Sequence, residues 1–89
     1  MQNSIMASTT KFTLSFLYLG NSYTVDKIYD TEAEARQAAR DLAENMDLAR
    51  VFLNTVNYHP AQEVFGKQLP ALCVFKYTNT LNFTGRIEL

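Results

Sequence analysis

Cysteine, histidine, glycine, proline and tryptophan are scarce in this chain: its 89 residues hold one cysteine, one histidine, three glycines, two prolines and no tryptophan. A lone Cys73 closes no internal disulfide, and a lone His59 leaves no His–His or His–Cys–Cys set for zinc. No metal and no cofactor are therefore expected. The glycines, Gly20, Gly66 and Gly85, stand too far apart for a phosphate-cradling loop. Basic runs are absent too, and a formal charge of −1 with pI near 5.7 argues against nucleic acid as a partner, since phosphate contacts need clustered Lys and Arg. No apolar run reaches the roughly 18 residues of a membrane span, and no charged-then-apolar leader opens the chain. A cytoplasmic protein without membrane contact is the expectation. Asn82-Phe83-Thr84 fits the N-glycosylation pattern, but without a secretory leader the match carries no weight.

Aromatic rings are plentiful instead, six Phe and five Tyr. A chain this short buries only about 60–65% of its unfolded surface, so those rings must fill a small core. The clearest element is Thr31 to Met46. Thr31 followed by Glu34 has the capping-box form, and Asp30 and Glu32 place negative charge at the positive end of the helix dipole. Ala35, Ala38, Ala39, Leu42 and Met46 recur at spacings of three and four, with Ala43 beside them, and form one apolar stripe. Small side chains let the helix axis approach its partner closely, so the large side chains must come from an aromatic sheet. The opposite face carries Glu32, Glu34, Arg36, Gln37, Arg40, Asp41 and Glu44, with Glu32–Arg36 and Arg40–Glu44 spaced for i,i+4 pairs. From Asp30 to Arg50 the charges sum to −3.

Residues 1–10 are polar and aperiodic and read as a flexible tail ahead of a single domain over 11–89. Lys11 to Leu19 alternates, with Phe12, Leu14, Phe16 and Tyr18 on one side, and reads as a strand. A Gly20-Asn21 turn would return Ser22 to Tyr29 as its partner, with Tyr18 opposite Tyr23, Phe16 opposite Val25, Leu14 opposite Lys27 and Phe12 opposite Tyr29. Lys27 is then a stem at the sheet margin. The second face of that hairpin exposes Leu17, Leu19 and Ile28 and is a candidate contact surface. Arg50 to Tyr58 reads as a further strand, although Leu48, Val51, Phe52, Thr55 and Val56 also lie at helical spacing. Asn57 to Pro70 is irregular, with a short helical turn from Pro60 to Gly66 that would tuck Val64 and Phe65 inward. Ala71–Tyr77 and Leu81–Leu89 are expected to form a second hairpin about Thr78-Asn79-Thr80, pairing Tyr77 with Leu81, Phe75 with Phe83, Cys73 with Gly85 and Ala71 with Ile87.

The expected fold class is α+β: a single antiparallel sheet, made of two hairpins and a further strand, with one long amphipathic helix across one face in the order ββα(β)ββ. Catalytic chemistry is not expected. Cys73 falls mid-strand on the core face as a structural thiol, His59 is a surface or capping residue, and the helix carboxylates face solvent. Rings on strands could stack RNA bases, but a one-layer sheet needs them for its core. Recognition of another protein, or of a second copy in a homodimer, is the expected function. The candidate contacts are Glu32, Glu34, Arg36, Arg40, Asp41 and Glu44 on the helix, and Leu17, Leu19 and Ile28 on the hairpin. In size, acidity and α+β pattern the chain resembles phage or mobile-element inhibitors such as anti-CRISPR proteins. That resemblance implies steric or acidic-surface blocking of a host defence complex.

Overall fold

A computed structural model describes residues 8–83. Within them the chain runs β1 (Thr9–Tyr18), β2 (Asn21–Thr24), α1 (Glu32–Met46), β3 (Arg50–His59), β4 (Gln62–Val64), β5 (Lys67–Leu69) and β6 (Leu72–Asn82). Four strands form an antiparallel sheet in the order β2-β1-β3-β6, and β4 pairs with β5. This is the α+β class, with the helix following two strands and lying across one face of the four-stranded sheet; four strands follow it where three were expected, two of them forming the small β4–β5 pair. Arg50–His59 is strand rather than helix. Strand β1 begins at Thr9, so Thr9 and Thr10 pair with Tyr58 and Asn57 instead of belonging to the tail.

The helix forms where its cap and stripe place it. Thr31, in extended backbone, accepts a hydrogen bond from the Glu34 N–H at 3.1 Å. Ala35, Ala39 and Ala43 are wholly buried against Leu14, Phe16, Val51 and Leu53, with Ala38, Leu42 and Met46 at the flanks. Asp47 ends the helix in the left-handed region at φ 56°, its N–H returning to the Ala43 carbonyl. Aspartate tolerates that conformation better than most side chains, and the turn lets buried Leu48 and Val51 enter the core.

The first hairpin keeps its faces but not its register. Its turn is Leu19-Gly20, both at positive φ, so Phe16 pairs with Tyr23 and Ser15 with Thr24, two residues away from the expected partners. A shift of two preserves which side chains share a face. The Phe16 and Tyr23 rings stack with centroids 5.4 Å apart. Strand β2 stops at Thr24, and a tight bend, in which the Lys27 N–H reaches the Val25 carbonyl, absorbs the extra residues. Tyr29 thereby regains Phe12 as expected, with hydrogen bonds of 2.8 and 3.0 Å. Lys27 is displaced from Leu14 into that bend, 5.5 Å from the Tyr29 ring centroid.

Lys11 ties the hairpin to the helix entry. Its Nζ donates to Asp30 Oδ1 at 2.5 Å and sits 5.5 Å from the Tyr58 ring centroid. That hydrogen bond, aided by nearby charge and opposed by desolvation, raises the Lys11 pKa above the ordinary lysine value. Because the folded value exceeds the unfolded one, the contribution is complete below about pH 10.4 and fades as pH climbs through the folded pKa. Thermal melts in alkaline buffer are expected to show a shallower loss of stability for Lys11→Met than for wild type; identical slopes would remove the pair as a cause.

The second expected hairpin is absent. Residues 72–82 form one unbroken strand, β6, so Tyr77 pairs with Thr55, Leu81 with Val51 and Phe75 with Val56. The pairings proposed for Gly85 and Ile87 lie outside the described residues. The straight path wins because it extends the β3 ladder by an entire strand, whereas a turn at Asn79 would abandon most of those hydrogen bonds. A bulge between Thr55 and Val56 leaves Lys76 unmatched on β6 and flips the side-chain alternation there.

Candidate functional site

Past the bulge β3 and β6 run on together, and beyond Tyr58 they form a two-stranded arm. Tyr58 pairs with Cys73 and His59 with Leu72, and Gln62 pairs with Leu69 in the same register on the far side of Pro60-Ala61 and Pro70-Ala71. The prolines, which lack a backbone donor, interrupt the ladder without ending the hairpin. Strand β1 accompanies the ribbon only as far as Tyr58, so from there to Phe65 the arm runs roughly 23 Å at strand rise without a third strand among the described residues. The arm accounts for the elongated shape, 60 × 24 × 19 Å.

The expected helical turn over 60–66 is therefore a hairpin, and Phe65 is not tucked inward. Val64 pairs with Lys67, leaving Phe65-Gly66 as a two-residue turn with φ of 52° and 79°. Such a turn needs positive φ at both positions, which favours Asn-Gly. Phe65 occupies the first of them fully exposed, at 101% of its reference area. Leu19 repeats the arrangement at the other end of the sheet, with φ 52° and 83% exposure before Gly20. Each position thus bears a left-handed backbone cost of roughly 1–2 kcal/mol and an apolar side chain in water. Neither feature helps folding.

Further apolar side chains stand exposed along the arm and the edge strand β6. Leu69, Leu72, Val74, Phe75 and Tyr77 are all exposed. Cys73 is exposed as well, not buried, because β6 is an edge strand and the helix covers β1 and β3. Strand pairing also separates Cys73 from His59. Cys73 shares a face with Tyr58 and His59 shares the opposite face with Leu72, so thiol and imidazole project to opposite sides of the arm. Among the described residues no group of three His, Cys, Asp or Glu side chains could hold a metal ion. No helix of the described residues is long and apolar enough to cross a membrane.

The helix residues singled out from sequence are all exposed, and the fold sorts them by charge. Glu34 and Asp41 line a depression with Lys27, Ile28 and Asp30 on one flank, whereas Arg36 and Arg40 face Thr80 to Phe83 on the other. Glu32 accepts from Arg36 at 2.8 Å and Asp41 from Gln37 at 3.2 Å. The Arg40–Glu44 pair does not form among the described residues, although both are exposed. Leu17, Leu19 and Ile28 do not share one surface. Leu17 lines a groove with Leu48, Ala49, Arg50 and Phe52, Leu19 sits in the turn, and Ile28 borders the acidic depression.

Phe65 escaped the sequence reading, yet a signal for it exists. Pro60-Ala61 and Pro70-Ala71 stand symmetrically about Phe65-Gly66 and mark a hairpin stem. Four of the remaining rings serve the fold: Phe12, Phe16, Tyr29 and Phe83 belong to or pack against the core. The centre of the outer sheet face is polar, where Asn54 Nδ2 donates to Thr13 and Ser15 and Asn54 Oδ1 accepts from Thr78. Comparison of the chain with protein-family models, with curated proteins and with solved structures gave no match in any of the three.

Proposed function

We propose that the chain is a non-enzymatic protein-binding module whose principal contact is the tip of the β4–β5 arm. The observation that carries this reading is Phe65, a fully exposed ring held in left-handed backbone where folding favours Asn or Gly. Strain and exposed apolar surface kept together at the end of a projecting arm suit an anchor that enters an apolar pocket on a partner. Aromatic anchors of this kind dominate the energetics of many interfaces. Leu69 and Leu72, exposed behind the tip, extend the apolar contact.

Phe65→Asn separates binding from folding. The variant gains the preferred Asn-Gly turn, so its thermal midpoint is expected to equal or exceed wild type, while its partner affinity falls by roughly 30-fold or more, as for loss of an anchor contributing about 2 kcal/mol. Pull-down from the native host with wild type, Phe65→Asn and Phe65→Trp as baits reads this out. Retention of the same partner by the Asn variant would overturn the role of the tip.

In its finer form the proposal is a cytoplasmic inhibitor of the phage or mobile-element kind that includes anti-CRISPR proteins. It would block a host defence complex sterically, with the acidic flank of α1, Glu34 and Asp41, as a second contact. Inhibition left intact by Glu34→Lys combined with Asp41→Lys would remove the acidic contact from the proposal.

A further inference from the structure

Strand β6 has a free outer edge: it is the last strand in the order β2-β1-β3-β6, and no described strand pairs with its far side. The direction of its backbone groups follows from the ladder. Phe12 exchanges hydrogen bonds with Tyr29, and the Leu14 carbonyl accepts from Val25, so these β1 residues face away from β3. The alternation then directs Lys11, Thr13 and Ser15 at Val56, Asn54 and Phe52, and directs Val51, Leu53 and Thr55 at Leu81, Asn79 and Tyr77. Thr78 and Thr80, between those partners, aim N–H and C=O outward from the edge. Unpaired edges of this sort are usually guarded by charge or proline. Here the one charge on β6, Lys76, sits at the bulge, and Tyr77 to Asn82 has none.

The centre of the same stretch, Thr78-Asn79-Thr80, reads alike in both directions. About Asn79 stand Thr78 and Thr80, then Tyr77 and Leu81, then Lys76 and Asn82. Thr78-Asn79-Thr80 was the expected loop of a hairpin, yet the strand runs straight through it. We infer that the edge of β6 is occupied by β6 of a second copy, antiparallel, about a two-fold axis through Asn79. Thr78 then meets Thr80 of the second copy as a closely hydrogen-bonded pair, and the axis repeats it. Tyr77 meets Leu81 of the second copy on the helix side of the extended sheet. Lys76 lies beside Asn82 of the second copy, so no like charges oppose. An isologous contact requires a strand complementary to itself, which an unrelated partner would not require. Tyr77, Asn79 and Thr80 are all exposed at this edge.

Light scattering on the full chain across a dilution series is expected to give twice the 10.1 kDa chain mass at high concentration and the single mass at low. Thr80→Pro deletes an outward donor in each copy and leaves the β3 ladder its bonds, so it is expected to raise the dissociation constant roughly 30-fold, the equivalent of two hydrogen bonds. Asn79→Lys places like charges face to face on the axis and is expected to weaken the dimer as well; being exposed, it reads out the interface if Thr80→Pro lowers the thermal midpoint. Asn79→Cys in a Cys73→Ser background is expected to oxidise to a covalent dimer, because the axial pair is of the non-hydrogen-bonded kind with side chains close. Lys67→Cys in the same background is expected to stay single. A single-chain mass at every concentration, or a dimer indifferent to Thr80→Pro and Asn79→Lys, would overturn the inference. Either result leaves the Phe65 experiment unaffected.

Discussion

Leu53→Ala is expected to remove about 3–5 kcal/mol of stability, the range for truncating a buried leucine whose surroundings cannot collapse. Leu53 is wholly buried, paired with Leu14 of β1 on one side and with Asn79 of β6 on the other, beneath the alanine stripe of α1. Two strands and a helix hold the walls of the resulting cavity apart, so little of the lost contact returns. A domain of this size has roughly 5–10 kcal/mol in total, so the variant should sit near its threshold. Urea titration followed by circular dichroism measures the loss, with Leu72→Ala on the exposed ribbon as the control that should change little. A Leu53→Ala unfolding free energy within about 1 kcal/mol of wild type would mean that the helix is not clamped on the sheet as described.

Ala39→Leu tests the same contact from the opposite direction. Leucine matches alanine closely in helix propensity, so the substitution leaves the isolated helix nearly unchanged and adds bulk where none fits. Ala39 has no exposed surface, and its neighbours along the stripe, Ala35 and Ala43, have none either. Forcing a larger side chain between helix and sheet is expected to cost about 1–3 kcal/mol. For a domain this size that corresponds to a midpoint lower by roughly 5–20 °C. Ala33→Leu, on the exposed side of the first turn, is expected to melt like wild type. Equal midpoints for Ala39→Leu and Ala33→Leu would show that the alanines do not set the helix-to-sheet distance.

The two variants bracket what the amino-acid sequence makes legible. The helix was legible because its determinants are local: the Thr31 cap, the acids of the first turn and an apolar stripe at helical spacing all lie within one segment. Strand β3 was legible from its β-branched and aromatic content, though helical spacing competed with it. The core face of the first hairpin was legible too, since alternation alone assigns Phe12, Leu14 and Phe16 to one side. Its register was not. A turn at Gly20-Asn21 and a turn at Leu19-Gly20 put the same side chains on the same face, and stacking of Phe16 on Tyr23, together with the bend at Val25–Lys27, favours the second.

The candidate site was the least legible part. Exposure picked out the helix charges and Leu19, but it depends on what covers each strand. Phe75, Tyr77 and Cys73 looked like core residues because a strand pattern cannot say whether a helix lies above it. Phe65 looked buried because Pro60 and Gly66 suited a short helical turn, and only the pairing of Val64 with Lys67 places it at a hairpin tip.

By itself the sequence determined the class of fold and the helix with its inner and outer faces, because these depend on periodicity and on neighbours a few residues apart; the expected aromatic core did not follow, since the alanines pack mainly on Leu14, Val51 and Leu53, with Phe16 the one buried ring among the described residues. Tertiary structure decided that the stretch about Asn79 runs straight as an edge strand, that Lys76 bulges, and that Phe65 stands at the end of an arm. Each outcome turns on competition between partners distant in the chain. The β3 ladder offers residues 72–82 more hydrogen bonds than a hairpin of their own can, and only the assembled sheet makes that comparison.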